Sequence, residues 1–113
     1  MPHVTHLDAY YELIASEDPA VDLQSARLVR EGSTTSLVAE WTENRERWEM
    51  RLVSIGGPEY RGSMQCKEYD EPSRTRARMW ELKDGYLWVG HYETDEGDEE
   101  PFFIHAVPAT DDE

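Results

Sequence analysis

Apolar positions recur along this chain with two different spacings. Leu7, Tyr10, Tyr11 and Ile14 fall three and four residues apart, the spacing of one helical face. Thr5 and Asp8 form a capping-box-like pair before them, with Asp in place of the usual Glu. Asp18-Pro19 ends the segment, because the residue before a proline disfavours helical geometry. The pattern predicts a helix over 5–18 with one apolar stripe, which must lie on something.

From about residue 25 the period is two. Ala26–Glu31 and Thr34–Thr42 flank Gly32-Ser33, a pair suited to a tight hairpin turn. That turn sets Leu28 opposite Leu37 and Ala26 opposite Ala39. Glu46–Ile55 alternates cleanly, with Trp48, Met50 and Leu52 on one face. A turn at Asn44-Arg45 then sets Trp41 opposite Trp48, Ala39 opposite Met50 and Leu37 opposite Leu52. Two independent turns thus agree on one buried face, which argues for a meander. Ile55-Gly56-Gly57-Pro58 interrupts the pattern, and Ser63–Tyr69 reads as the next strand, followed by a turn at residues 70–73.

Arg74–Lys83 and Tyr86–Glu93 flank Asp84-Gly85, a strong hairpin signal. A two-residue turn there pairs Leu82 with Leu87, Trp80 with Val89, Arg78 with His91, Arg76 with Glu93 and Arg74 with Asp95. The opposite face carries Ala77, Met79, Tyr86, Trp88 and Tyr92. The last strand, Phe102–Val107, places Ile104 beside Val89, Ala106 beside Leu87, and His105 near Trp88. The fold class expected is α+β and mainly β. It has an N-terminal helix and an antiparallel up-and-down meander of about seven strands over 25–108, as a curled sheet or partly closed barrel, with an acidic tail at 109–113. The face with Tyr86, Trp88 and Tyr92 needs a cover, either the helix or a second copy in a homodimer.

Composition sharpens this picture. With 113 residues there is room for one domain, 1–113. No basic, apolar and small-residue succession marks a signal peptide, and no apolar run is long enough for a membrane helix. The single cysteine, Cys66, forbids an internal disulfide and fits a cytoplasmic location. Twenty-five acids against 11 bases give −14, which argues against nucleic acid and against anionic membranes as partners. The 9 Arg and 2 Lys beside so many carboxylates also suit a salt-rich cytoplasm or a GC-rich genome. The charge is uneven: residues 1–44 carry −6, residues 45–78 carry +2 and residues 79–113 carry −10. A mildly basic middle lies between two acidic flanks.

That middle holds the candidate chemistry. Arg74, Arg76 and Arg78 project from one face of one strand, and arginine forks grip carboxylate or phosphate through paired hydrogen bonds. The ligand-binding residues expected are Arg76, Arg78, Trp80, His91 and Glu93, as the floor of a pocket in the concave face for a small acidic or amphipathic ligand. The plainer alternative is that these charges make ordinary cross-strand ion pairs, worth about 0.2–1 kcal/mol each. The acidic loop 94–100 lacks the ordered ligands of a calcium loop, and the histidines and cysteine lack zinc spacing, so no metal and no cofactor is expected. No catalytic motif is present, and Cys66 reads as a small core residue. Two functions stay open: a non-catalytic binding module, and an acidic interaction domain that takes a basic partner or self-associates through Tyr86, Trp88 and Tyr92.

Overall fold

A computed structural model describes residues 2–43, 45–68, 71–94 and 96–109. Eight strands follow one another in antiparallel order: β1 (His3–Leu13), β2 (Val21–Glu31), β3 (Thr34–Glu43), β4 (Glu46–Gly56), β5 (Glu59–Cys66), β6 (Ser73–Glu81), β7 (Tyr86–Glu93) and β8 (Glu99–Pro108). Each pairs with the next, and β8 returns to β1 over Leu7↔Pro108 to Leu13↔Phe102, so the sheet closes into a barrel. Closure leaves no unpaired strand edge.

The alternation read over β2–β4 holds. Leu28 faces Leu37, Ala39 faces Met50 and Trp41 faces Trp48. Leu28, Leu37, Ala39, Trp41 and Met50 form the interior with Leu52, Trp88, Phe102, Ile104 and Ala106, all at or near zero exposure, and Trp48 packs half-buried against them. Large and small side chains alternate across the wall, which lets Trp41 and Trp88 fit inside an eight-stranded barrel.

The helix over 5–18 is not formed. Leu7, Ala9, Tyr11 and Leu13 alternate inward on β1 instead, and Tyr10 points out against Phe103 and His105, with ring centroids 6.0 and 5.7 Å away. An apolar residue on the outer face turned a period of two into an apparent helical stripe.

Two registers also differ from expectation. Trp80 pairs with Leu87, Arg78 with Val89 and Arg76 with His91, a shift of two. The β6–β7 connection spans 82–85, closed by the Leu82 N–H donating to the Gly85 carbonyl at 2.8 Å. Gly85 answers a packing demand, because a Cβ there would lie 2.1 Å from the Ala106 carbonyl oxygen. In the last pair Trp88 meets Ile104 and Tyr86 meets Ala106, a shift of one. A one-residue shift sends every side chain to the other face. Ile104 and Ala106 therefore join Trp88 inside, and the arginine face of β6 lies outside. Among the sequence expectations, Asn44 of the β3–β4 turn, Tyr69 and Asp70, Asp95 opposite Arg74, and the tail beyond Ala109 fall outside the described residues.

Gly62 and Gly90 shape the wall beside β6. A Cβ on Gly62 would lie 1.7 Å from the Arg51 carbonyl oxygen, and one on Gly90 would lie 1.8 Å from that of Arg76. Only glycine lets these neighbouring backbones approach so closely.

Candidate functional site on the outer barrel wall

β5, β6 and β7 carry a row of bases across their outer face. Arg61 pairs in register with Arg76, and Arg76 with His91. One row nearer the mouth, Ser63 pairs with Arg74. Arg61, Arg74, Arg76 and His91 border a cleft of about 350 Å³ whose floor is the backbone at Gly62 and Thr75, with Glu93 and Glu99 on its rim. Thr75 is buried and donates its hydroxyl to the Ser73 carbonyl at 3.2 Å, which ties the floor to β6.

Of the two rim acids, Glu99 is the one that reaches the bases. Its Oε2 lies 3.6 Å from an Arg76 guanidinium nitrogen and 3.2 Å from His91 Nε2. The His91 contact is short but misaligned, and Nε2 is a buried nitrogen without a hydrogen bond. Arg76 and Glu99 are both more than half exposed, so their attraction is screened and weak. Arg61 and Arg74 have no ion-pair partner among the described residues. An anion entering here meets two unpaired guanidinium groups and a third held loosely.

The expected site residues therefore divide. Arg76, His91 and Glu93 border this cleft. Arg78 and Trp80 continue along the same outer face, where Arg78 reaches Glu59 at 3.4 Å and its guanidinium stands 5.6 Å from the Trp80 ring centre. The face is the outside of the barrel and not its hollow, which corrects the concave placement. Tyr86, Trp88 and Tyr92 point inward, with Trp88 wholly buried and the two tyrosines half-buried against the core. Arg61, Arg74 and Glu99 were not among the expected ligand-binding residues, although Arg74 was read on the same strand face as Arg76. Arg61 falls between the Gly56-Gly57 break and the strand read from Ser63, although the alternation back from Ser63 places it outward.

The interior is packed. Trp88 meets Tyr60 and Tyr86 at 6.0 and 5.7 Å, and its Nε1 has no hydrogen-bond partner. At one mouth Arg30, Thr35, Ser54, Tyr60, Met79 and Glu81 surround an open depression of about 510 Å³. At the other, Trp41 Nε1 donates to Glu43 at 3.4 Å, beside Tyr11 and Tyr92. Burial first, then Glu43, pushes the Tyr11 hydroxyl well above its ordinary range, and burial with Glu100 and Glu43 pushes Tyr92 up. Burial likewise raises the Cys66 thiol, which donates to Glu68 at 3.5 Å; a raised thiol is a poor nucleophile. Among the described residues no three His, Cys, Asp or Glu side chains group as a metal site, and no helix is long and apolar enough to cross a membrane.

No family model, no curated protein and no solved structure matches this chain.

Proposed function

We propose that the protein is a non-catalytic binding module for a small polyanion, a molecule with two or more carboxylates or a phosphate, taken up in the outer cleft. The observation that carries this reading is the convergence of Arg61, Arg74, Arg76 and His91 on one cleft in a chain of net charge −14. Repulsion from so negative a molecule would keep anions away unless a local concentration of guanidinium groups reversed the field. Planar guanidinium forks suit carboxylate and phosphate oxygens, and Arg61 and Arg74 need break no existing ion pair to bind them.

Titration calorimetry and thermal shift with citrate, pyrophosphate and succinate test the reading. Citrate or pyrophosphate is expected to raise the melting temperature and bind at one site. Arg61→Ala or Arg74→Ala weakens binding about tenfold or more, since a charge-assisted contact is worth roughly 1.5–3 kcal/mol. Failure of all three anions to bind at millimolar concentration, or binding unaltered in both variants, overturns it. A second reading, self-association, draws support from the half-exposed Trp80 beside Arg78 on the same outer face, at 46% exposure.

A further inference from the structure

The inner core accounts for the inward apolar residues, but not for those on the outside of β6, β7, β8 and β1. Trp80 and Leu82 are exposed there, and Leu87, Val89, Phe103, Val107 and Tyr10 are only partly covered. Contiguous outward apolar residues on a closed barrel mark a surface that meets another molecule. Strand addition is closed to it, because every strand already has two neighbours.

The register shows which molecule fits. One row across the four strands runs Arg78, Val89, Phe103, Glu12, each paired with the next. It is basic at one end, apolar in the middle and acidic at the other. The adjacent row runs Trp80, Leu87, His105, Tyr10, with an aromatic ring at each end. Beyond Tyr10, β2 adds Asp22 to the acidic side.

We infer that this outer face docks a second copy of the chain about a twofold axis running along the strands between β7 and β8. A half-turn about that axis lays β6 over β1 of the second copy and β7 over its β8. Arg78 then meets Glu12, Trp80 meets Tyr10 and Val89 meets Phe103, each twice. A twofold interface must be complementary to itself, and this row satisfies that condition in charge and in apolar contact. Within one chain Arg78 has the exposed Glu59 pair and its stacking over the exposed Trp80 ring, and Glu12 has no ion-pair partner among the described residues. Neither charge must be stripped from a buried partner to form the contact. The inference is independent of anion binding, since neither Arg78 nor Glu12 borders the cleft.

Sedimentation velocity over a concentration series tests it, with circular dichroism confirming that each variant folds. The wild type is expected to move from monomer to dimer as concentration rises. Arg78→Glu and Glu12→Arg each weaken the dimer about tenfold or more by setting like charges face to face, and the double exchange restores it. Leu87→Asp abolishes it; if that variant does not fold, the exposed Trp80→Glu serves in its place. A wild type that stays monomeric, single exchanges that change nothing, or a double exchange that fails to restore the dimer each overturns the inference. Citrate titration of the Glu12→Arg variant at about 0.15 M salt, where the screening length is roughly 8 Å, should stay as in the wild type, which separates the two proposals.

Discussion

Tyr11 shows how strongly one buried hydroxyl can tie this protein to pH. It is 7% exposed, lies against Trp41 at 5.1 Å between ring centres, and faces Glu43. Its proton is held well above the ordinary 10.0 because a phenolate there would be desolvated and set beside carboxylates. Tyr60 and Tyr92 shift the same way, with burial the largest cause in both. Above the ordinary tyrosine pKa the unfolded chain has released these protons while the native chain keeps them. The native state then binds more protons, so stability falls as pH rises. Stability from these groups is complete below about pH 10 and lost progressively above it. Melting temperatures measured up the alkaline range should fall steeply, and Tyr11→Phe should make the fall shallower. An unchanged slope in Tyr11→Phe would show that Tyr11 is not held neutral.

At the scale of the element, the wall around β6 depends on side chains that are missing. Gly62 on β5 and Gly90 on β7 flank Thr75 and Ala77, and a Cβ on either would run into a neighbouring carbonyl. Carbonyls in a ladder cannot move aside without breaking their own pairing. Gly62→Ala and Gly90→Ala should therefore each cost about 3 kcal/mol or more. Gly57 is the contrast: its φ of +56 favours glycine, but nothing lies within 4 Å of its missing Cβ. Gly57→Ala should cost only about 1 kcal/mol, the local conformational preference alone. Denaturant midpoints give the comparison. Equal losses at Gly62 and Gly57 would mean that the close backbone approach is not what requires glycine at Gly62.

For the whole molecule, charge and closure oppose one another. The β1–β8 pairs join residues about a hundred positions apart, so the last wall forms only after the chain has given up much of its freedom. Closure must also overcome the repulsion of a −14 chain in a body 39 × 33 × 26 Å across. At about 0.01 M salt the screening length is roughly 30 Å and repulsion spans the barrel; at about 1 M it is roughly 3 Å. The melting temperature should therefore rise with sodium chloride, while citrate binding and the Arg78–Glu12 contact weaken. A melting temperature that falls or stays flat would place the stabilising charge pairs above the net repulsion.

What the chain determines locally is the alternation of β2, β3 and β4 and the turns that align them, because neighbouring strands joined by two residues have little choice of register. The row of arginines on one face of β6 was equally legible, since a period of two needs no partner to define it. Three things were settled only by the assembled barrel. β1 is a strand because β8 pairs with it from far along the sequence, a contact no local spacing reveals. Arg61 joined the cleft because β5 begins at Glu59, set by its neighbours across the wall. Which face of β6 and β7 turned inward rested on one residue of register against β8. Both faces carry aromatic side chains, so the hydrophobic pattern could not choose. Closing the sheet chose, by leaving the interior room for Trp88 and Ile104 but none for three solvated guanidinium groups.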